Sequence, residues 1–456
     1  MSGKVAVIGG GPAGIMAAGR AAQCGAQSVL LERGPKLARK LRISGKGRCN
    51  ITNVADIEGF IDAFYPNGKF LYGAFSRFFR DDLIEILQSE GVETKVERGG
   101  RVFPVSDKAA DVADAIERWM IRAGAQVRLN ARARSVMVQD GRVVGVEMYG
   151  GRLDADAVVI ATGGISYPRT GSTGDGYAMA RAVGHTVVNP RPALSPLICE
   201  EEWVKELQGL SLRNVKATLL LYVPGSDRPK KIASEFGELL FTHFGVSGPI
   251  VLTLSREIAK LVEQVPNERG EFEIRSDQGQ QVFISIDLKP ALSREQLHAR
   301  LVRDFKQTKH LKNYLRELLP RLLINVFLAL VGIDPDKPVN TITVEERTRM
   351  VELLKDLRLV VKGMTPLEQA IVTAGGVSIK EIDPRTMMSK LVKGLFFAGE
   401  VIDIDARTGG FNLQAAFSTG WVAGEAAAKY AADCHSEWHN SLCSEGLPAD
   451  TKVYLV

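Results

Sequence analysis

The sequence predicts an α/β protein: a Rossmann-like, discontinuous dinucleotide-binding domain with an inserted domain that is part β-barrel and part helical. Three observations predict this fold class. Apolar runs that end in glycine-rich turns occur near the start, the middle and the end of the chain, at residues 5–14, 157–164 and 395–400. Between the second and third runs, strand-like patterns are followed by basic helical patterns, as expected of an insert.

The first run opens a βαβ unit. Residues 5–8 form a continuous apolar stretch, which is typical of a strand buried on both faces. Gly9, Gly11 and Gly14 follow in the spacing G-x-G-x-x-G, which allows a tight turn, a close approach of a pyrophosphate, and close packing of helix on strand. Pro12 falls in the first helical turn, where its missing N–H costs nothing. We therefore expect the helix N-terminus to face a pyrophosphate.

The second strand is expected at residues 29–31, and Glu32 ends it. A carboxylate at this point can accept hydrogen bonds from both hydroxyls of a ribose. The same charge repels a 2′-phosphate, which disfavours NADP at this site. The order of strand, glycine loop, helix, strand and acid predicts a dinucleotide site, either for NAD or for FAD.

Length, charge and cysteine content exclude several classes of protein. The chain has 456 residues, enough for two or three domains, and its net charge of +5 does not by itself indicate nucleic-acid binding. Five cysteines without a C-x-x-C pair favour a reducing compartment and exclude a Cys-ligated iron–sulfur cluster. The sequence shows neither a signal peptide nor a long apolar segment, so we expect a cytoplasmic protein without a metal or a membrane partner.

A polar, glycine-rich loop follows at residues 38–53. It is interpreted either as a solvated basic loop or as a strap across a phosphate or flavin, with Lys46 and Arg48 as counter-charges. The density of glycine and asparagine in this loop favours the strap.

The middle of the chain carries regular elements and a second cofactor segment. Helices are expected around residues 70–79, 82–90 and 109–123, and strands at 92–97, 125–129, 133–139, 143–149 and 156–160. The last of these strands leads into Ala161-Thr-Gly-Gly164, and T-G-D-G follows at residues 173–176. This order is characteristic of FAD enzymes, in which the first element returns to the dinucleotide and the second lays a helix under the cofactor.

The domain boundaries follow from changes in pattern. We expect a first part of the FAD-binding domain at 1–190, an inserted β-barrel and helical domain at 191–365, a second part of the FAD-binding domain at 366–435 and a polar tail at 436–456. Pro190, Pro192 and Pro196 mark a linker into the insert. Residues 293–332 of the insert are predicted to be helical and basic.

The chain then returns to the cofactor. A buried strand at 395–397 ends near Gly399 and Glu400, and a long helix is expected at 415–432. The helix N-terminus should direct N–H donors towards the pyrimidine end of a flavin, where negative charge collects. Three cofactor segments spread over the chain favour FAD over NAD.

Four motifs together resemble one family. They are S-G-K-G-R-C-N-I-T-N at 44–53, G-G-I-S-Y-P-R-T-G-S-T-G-D-G at 163–176, L-F-T-H-F-G-V-S-G-P at 240–249 and T-A-G-G-V-S at 373–378. The chain is similar over residues 4–428 to the bacterial BaiN-like flavoproteins, also called the aminoacetone-oxidase-like family. The resemblance implies a two-dinucleotide-binding-domain flavoprotein fold with non-covalent FAD. It does not fix the substrate, because members include amine oxidases, reductases of enone-type bile acid intermediates and ribosomal RNA dihydrouridine synthases.

The residues expected to bind FAD come from all three segments. They are Gly9, Gly11, Pro12, Ala13, Gly14, Glu32, Arg33, Lys40, Ser44, Gly45, Gly47, Arg48, Cys49, Asn50, Ala161, Thr162, Gly163, Gly164, Gly174, Asp175, Gly399, Glu400, Asp403, Gly410, Asn412, Leu413 and Gln414.

Reduction of a polarised C=C bond needs a hydride and a proton, and three side chains are candidate acids. Cys49 lies in the predicted strap, His243 in a family motif, and Tyr167 before Pro168. Each has a plainer interpretation: packing for Cys49 and Tyr167, and pinning of a loop for His243. No second G-x-G-x-x-G follows a strand, so NAD(P)H is expected as a transient electron donor, or the electrons end on oxygen.

Three functions remain open. The first is an NAD(P)H-dependent reductase of a polarised C=C bond, either in a ribosomal RNA uridine or in an enone-type small molecule. The basic helices at 294–321 would then contact RNA phosphates, although their interspersed acids also suit an ordinary solvated face. The second is an oxidase of a small amine, such as aminoacetone, that produces peroxide. The third is a flavin-binding sensor without turnover.

Overall fold

The structure, a computed structural model, describes residues 3–64, 66–261, 263–275 and 279–444. The chain divides into two compact units. The first comprises Met1–Arg191 and Val372–Val456, and the second is Pro192–Ile371. The first unit is therefore discontinuous in sequence.

The strands of the described residues are numbered in chain order. They are β1 Lys4–Ile8, β2 Gln27–Leu31, β3 Thr52–Asn53, β4 Thr94–Glu97, β5 Arg101–Pro104, β6 Gln126–Arg128, β7 Ala133–Gln139, β8 Arg142–Met148, β9 Gly151–Asp154, β10 Ala157–Ile160, β11 Val187–Ala193, β12 Leu197–Cys199, β13 Ser211–Tyr222, β14 Lys230–Phe241, β15 Gly245–Ser247, β16 Glu263–Pro266, β17 Phe272–Arg275, β18 Gln281–Asp287, β19 Leu357–Met364, β20 Val372–Val377 and β21 Leu395–Phe397.

The α-helices are numbered in the same way. They are α1 Pro12–Gln23, α2 Arg39–Ile43, α3 Ile57–Ala63, α4 Tyr72–Arg77, α5 Arg80–Ser89, α6 Ala109–Arg122, α7 Asp175–Ala182, α8 Pro249–Leu261, α9 Arg294–Asp304, α10 Leu311–Leu315, α11 Arg321–Val331, α12 Val344–Lys355 and α13 Phe411–Ser444.

The first unit is built on a five-stranded sheet in the order β21-β10-β1-β2-β6. Every neighbouring pair in this sheet is parallel. β1 is central and its residues 5–8 are buried, which explains the continuous apolar run in the sequence. A separate antiparallel meander, β7-β8-β9, carries the chain from β6 to β10, as the alternating pattern predicts.

Helix α13 packs closely along α1 because small residues face it. A Cβ added to Gly420 would lie 2.2 Å from the carbonyl oxygen of Ala13, and one added to Gly424 would lie 2.2 Å from that of Ala17. No side chain larger than hydrogen fits at these two positions without a backbone shift. The glycines therefore set the distance between the last and the first helix of the unit.

The second unit contains a closed antiparallel barrel. Its strands follow the order β12-β15-β14-β13-β18-β19, and β12 also pairs with β19, which closes the circuit. β17 and β16 extend the sheet from β19. Helices α9–α12 bury apolar side chains such as Leu297, Tyr314 and Phe327 in the core of this unit. The predicted combination of a β-barrel with helices is confirmed.

The structure corrects several predicted elements. The proline-rich stretch expected as a linker forms β11, paired with β20, and β12. The loop expected at 38–53 contains the short helix α2 and a 3-10 turn at Ser44–Gly47. The sequence reasoning missed β19, which closes the barrel.

The C-terminal helix is longer than the predicted 415–432. It begins at Phe411 and continues to Ser444, through the first part of the expected polar tail. The remainder of that tail, 445–456, lies outside the described residues.

Two kinds of feature are absent from the described residues. No helix among them combines the length and apolarity that a membrane crossing requires. Nor do the side chains of this part of the chain include a group of three or more His, Cys, Asp or Glu residues placed to hold a metal ion.

Candidate functional site

The predicted cofactor segments meet at one edge of the parallel sheet. Ile8 of β1 is in register with Ile160 of β10, which is in register with Phe397 of β21. The carboxyl ends of these three strands lie side by side, so the turns that follow each strand share one edge. Ligands of open α/β sheets bind at such an edge.

The three glycines of the first turn have different structural reasons. Gly9 has a φ of +109°, and a Cβ there would lie 2.5 Å from the carbonyl oxygen of Ala161. A Cβ on Gly14 would lie 1.8 Å from the carbonyl oxygen of Gly9. Gly11 has an ordinary φ of −84°, and a Cβ there would meet no described atom within 4 Å. Neither backbone conformation nor protein packing requires a glycine at Gly11, which leaves open space for a ligand at this turn.

The N-termini of two helices lie beside these turns. Gly11 is the N-cap of α1 and Gly174 is the N-cap of α7, and neither helix has a side-chain cap. The first N–H groups of each helix therefore lack intrahelical acceptors and side-chain acceptors. Helix ends of this kind bind anions such as a pyrophosphate.

Glu32 organises the loop at the end of β2. Its carboxylate accepts hydrogen bonds from the backbone N–H of Gly10 at 2.8 Å and of Gly34 at 2.7 Å. The side chain is buried, and each oxygen keeps a further lone pair. Glu32 thus both shapes the glycine loop and retains the capacity to accept from a ribose hydroxyl.

Asp175, in the first turn of α7, is paired with two arginines. Arg132 lies 3.0 Å and Arg33 3.3 Å from its carboxylate, and Arg33 also donates to Thr173 at 2.5 Å. Burial alone would raise the pKa of Asp175, but hydrogen bonds from Arg132 and Thr173 outweigh it and lower the pKa. The pair of Arg33 and Asp175 ties β2 to the T-G-D-G helix.

Within the strap, the backbone turns tightly over residues 44–53. Gly45, Lys46, Gly47 and Cys49 all have φ between +57° and +84°. Ser44 holds the turn through its carbonyl oxygen, which accepts from the N–H of Cys49 at 3.0 Å. Non-glycine residues in this region store strain and cluster at functional sites.

Hydrogen bonds from polar side chains of the strap join it to the start of α13. Asn53 donates to the carbonyl of Gly409 at 3.0 Å, and Thr52 donates to Oε1 of Gln414 at 2.7 Å. The side-chain amide of Asn50 lies beside Gly410 and Thr52, and in the orientation that satisfies both its O and its N, the oxygen accepts from the N–H of Gly410 at 3.0 Å. Leu413 lies half-buried in the same helical turn.

The side-chain amide of Asn412, near the start of α13, holds the loop that precedes this helix. It accepts from the N–H of Ala406 at 2.8 Å and donates to its carbonyl at 3.0 Å. The strap and the third cofactor segment therefore form one surface, which sequence order alone could not show.

Arg48 differs from its interpretation as a phosphate counter-charge. Its guanidinium lies 2.5 Å from Glu97 and 2.6 Å from Asp107, and it stacks 4.3 Å above the ring of Phe103. Hydrogen bonds to these two carboxylates raise the pKa of Arg48 and keep it charged. Because its charge is already neutralised within the protein, the FAD-binding role of Arg48 stays a prediction.

A polar cluster lies beyond the ends of β10 and β21. Lys40 donates to Ser166 at 2.6 Å and to Glu400 at 2.8 Å. Glu400 also accepts from the N–H of Thr373 at 2.8 Å, and the hydroxyl of Thr373 accepts from the N–H of Ile165 at 3.0 Å. The sequence reasoning named Lys40 and Glu400 but missed Ser166 and Thr373, although both lie in motifs that it singled out.

The carboxyl group of Asp403 has its pKa shifted upwards. Burial and the nearby Asp405 raise the pKa of Asp403, while Arg191 opposes them. Asn67 donates to the Asp403 carbonyl at 2.8 Å and fixes the residue. A carboxyl group in this environment stays protonated to higher pH than an ordinary aspartate.

The three candidate acids lie in different surroundings. Cys49 is fully buried, and burial raises the pKa of its thiol to about 12. Tyr167 is half-buried, has a left-handed backbone with φ +53°, and follows Ser166 of the polar cluster. His243 is exposed and belongs to the second unit. The structure brings Tyr167 to the cofactor edge of the first unit and does not assign Cys49 or His243 a reacting partner.

The residues present fit a dinucleotide such as FAD. In the turn after β10, close to Gly9, the Oγ1 of Thr162 is buried without a hydrogen-bond partner among the described residues. Gly163 and Gly164 follow it, and a Cβ on Gly176 would lie 2.0 Å from that oxygen. A bound ligand would supply the missing partner.

Comparison with known proteins agrees with this geometry. A family model described as HI0933-like protein Rossmann domain matches residues 3–426. A 3-dehydro-bile acid delta(4,6)-reductase from Clostridium scindens is 30% identical over 93% of this chain and 99% of its own length. A ribosomal RNA dihydrouridine synthase from Escherichia coli is 31% identical over 91% of this chain and 96% of its own length.

A solved structure shares the fold. The open conformation of a flavocytochrome c3 fumarate reductase matches with a TM-score of 0.50 and 18% identity, over 94% of this chain and 78% of that chain. At this identity the likeness supports the flavoprotein fold alone.

Proposed function

The chain belongs to the HI0933-like protein Rossmann domain family, which confirms the resemblance to the BaiN-like flavoproteins, and it is an FAD-dependent oxidoreductase. From this premise we propose that it uses NAD(P)H to reduce a carbon–carbon double bond conjugated to a carbonyl group. The observation that carries the proposal is the likeness, over more than nine-tenths of the chain, to two proteins named for saturating such a bond. The open space at Gly11 supports the dinucleotide site.

The names of the relatives support the type of bond reduced. Delta(4,6)-reduction of a 3-dehydro-bile acid and formation of dihydrouridine both saturate a C=C bond conjugated to a carbonyl group. The two substrates differ greatly in size and charge, so the shared feature is the bond. We propose this bond, in an RNA uridine or in an enone-type small molecule, as the reacting group.

Flavin supplies hydride chemistry when it is bound, and the protein positions the substrate and moves the proton. The uncapped N-termini of α1 and α7 bind the negative charge of the dinucleotide. The polar cluster of Lys40, Ser166 and Glu400 fixes the turn after β10. Of the three candidate acids, Tyr167 is best supported, because it follows Ser166 on this same turn.

The electron donor is proposed to visit the flavin face transiently. The sequence has no second G-x-G-x-x-G after a strand, so a dedicated nicotinamide domain is not expected. Glu32 disfavours a 2′-phosphate, and hence NADPH, at the first dinucleotide site. The three cofactor segments favour FAD over NAD there.

The experiment is an assay of NADH and NADPH oxidation under anaerobic conditions, with an enone and with uridine-containing RNA as acceptors. Acceptor-dependent oxidation supports the reductase. Peroxide formed from aminoacetone in air, without any use of nicotinamide, would replace the proposal by the oxidase. Absence of flavin reduction by every donor would favour the sensor.

Tyr167→Phe tests the proton donor. We expect kcat with the acceptor to fall by about 10²–10⁴, as for loss of a general acid, while reduction of the flavin by NAD(P)H is unchanged. Tyr149→Phe is the matched control, since Tyr149 is exposed in the loop between β8 and β9. An unchanged kcat in Tyr167→Phe would remove this role.

A further inference from the structure

The second unit contains a cavity with a cationic lining. Its volume is about 310 Å³, and Ser211, Arg213, Leu288, Lys289 and Pro320 are among the residues that line it. Arg213 and Lys289 are the two charged members of the lining, and both are positive. A cavity whose charged lining residues are all positive is electrostatically complementary to an anion.

Lys289 has no counter-charge in the described part of the protein. The neighbouring Asp287 lies 2.6 Å from Lys355, and its carboxylate also accepts from the backbone N–H of Lys289 at 2.9 Å. Among the described residues, no group hydrogen-bonds or pairs with the Lys289 ammonium. Burial, and then the nearby Arg300, lower the pKa of Lys289. A half-buried ammonium beside another cation is costly without an anionic partner.

A β-bulge brings Arg213 to the cavity. The pairing of β13 with β14 shifts register between Leu212 and Val215, and Asn214 has a φ of +56°. Bulges of this kind redirect side chains and are common beside functional sites. Arg213 is exposed, and its guanidinium has no partner among the described residues, so its five N–H donors are free to exchange water for a ligand.

We propose that this cavity is a binding subsite for a phosphate group. Arg213 offers a planar fork that matches phosphate oxygens, and Lys289 adds a point charge. Pro320, the N-cap of α11, lines the same cavity, and that helix has no side-chain cap. The phosphate belongs either to the backbone of an RNA or to a nucleotide, and the subsite concerns binding, so it does not rest on the proposed reaction.

Chemical modification tests the subsite directly. Lysines are acetylated with acetic anhydride with and without inorganic phosphate, and each site is quantified by mass spectrometry. At phosphate about ten times its dissociation constant, acetylation of Lys289 is expected to slow about tenfold. Lys230, an exposed lysine of the same unit outside the cavity lining, is expected to react at an unchanged rate. Equal effects on both lysines, or none on Lys289, would overturn the proposal.

Binding to two probes identifies the source of the phosphate. Lys289→Gln and Arg213→Gln are expected to weaken binding of either a fluorescent oligoribonucleotide or NADPH about tenfold, equal to about 1.4 kcal/mol. Lys230→Gln, a substitution of equal charge change outside both the cavity lining and the basic segment 294–321, is the control and should leave both affinities unchanged. A loss confined to the oligoribonucleotide identifies RNA, and a loss confined to NADPH identifies a nucleotide.

Two outcomes separate this proposal from the proposed reaction. Unchanged affinities for both probes in Lys289→Gln and Arg213→Gln overturn the subsite, whatever the enzyme reduces. Tight, Lys289-dependent phosphate binding in a protein that never oxidises NAD(P)H upholds the subsite and removes the reductase. Lys289→Arg, which keeps the charge, is expected to retain most of the affinity.

Discussion

At the scale of single residues, Gly11 and Gly14 are glycines for different reasons. A Cβ on Gly14 would collide with the carbonyl oxygen of Gly9 at 1.8 Å, whereas a Cβ on Gly11 would meet no described atom within 4 Å. The sequence motif predicts both glycines but does not separate their roles. Packing explains the glycine at position 14, and for Gly11 we propose a ligand as the reason.

Gly11→Ala therefore separates cofactor binding from stability. We expect the free energy of unfolding of the flavin-free protein to change by no more than about 0.5 kcal/mol, because the new methyl group contacts nothing. The affinity for FAD should fall at least about tenfold, since the methyl group occupies the space of the pyrophosphate. Urea unfolding and FAD titration measure the two quantities.

Gly14→Ala is the matched control. Its methyl group must displace backbone, so the flavin-free protein itself should lose stability, by about 1–3 kcal/mol. If Gly11→Ala destabilised the flavin-free protein as much as Gly14→Ala, the assignment of Gly11 to the ligand would be wrong.

Asp403 gives a pH dependence with a definite sign. Its raised pKa means that the folded state holds the proton more tightly than the unfolded state does. The fold is therefore penalised as pH rises from the ordinary aspartate pKa, about 4, to the raised value. Below that window the penalty is absent. Asp403→Asn removes this penalty. The free energy of unfolding of the variant, relative to that of the parent protein, should therefore increase as pH rises across the window.

Urea unfolding of both proteins at a series of pH values measures this difference. Asp140→Asn is the control, because Asp140 is exposed and its left-handed backbone also suits asparagine. A stability difference between Asp403→Asn and the parent protein that does not vary with pH would contradict the account of Asp403.

At the scale of elements, the strap and the start of α13 act as one piece. Thr52 donates to Gln414 at 2.7 Å, and Gln414 donates in turn to Ser418 at 3.1 Å, all in buried surroundings. The sequence predicted the strap and named Gln414 as a cofactor residue. It could not predict this contact, because the partners are 362 residues apart in the chain.

Thr52→Val tests this connection. The substitution keeps the shape of the side chain and leaves Oε1 of Gln414 without a donor, which should cost about 1–3 kcal/mol of stability. Ser76→Ala, which removes an exposed hydroxyl bonded to the carbonyl of Gly73, should cost much less. Denaturant unfolding measures the stability loss of both variants. Equal losses would show that the buried hydrogen bond stabilises the protein no more than the exposed one does.

Elements were predicted where local pattern decides them. β1, α6 and β7 agree with their predicted bounds to within a residue, because burial imposes their apolar spacing. β11 was mistaken for a linker, since Pro190 and Pro192 are tolerated on a strand of a two-stranded sheet. β19 was missed because its strand character depends on closing a barrel with distant partners.

At the scale of the whole molecule, the insert leaves and returns to the first unit at neighbouring strands. β11 leads into the insert, which includes its last two residues, and β20 follows the insert and pairs with β11. A protein in which 192–371 is replaced by a short Gly-Ser linker should therefore fold and bind FAD. Absorption spectroscopy after purification checks this, and a colourless, unfolded product would show that the first unit depends on the insert.

The cofactor, the family and the fold class could be predicted from the sequence. Glycines at fixed spacing after a strand mark turns where a ligand can come close to the backbone. The candidate acid was not, since Cys49, Tyr167 and His243 differ in burial and in unit, which no local pattern reveals. The polar cluster around Lys40 likewise depends on four segments that meet only in the fold.

The most direct test of the account is anaerobic stopped-flow absorption of the FAD-loaded protein. NADH or NADPH is mixed first, and an enone or uridine-containing RNA second. The account predicts that a nicotinamide bleaches the visible flavin band and that the unsaturated acceptor restores it without oxygen. A flavin that no nicotinamide bleaches, or a reduced flavin that oxygen alone reoxidises, would contradict it.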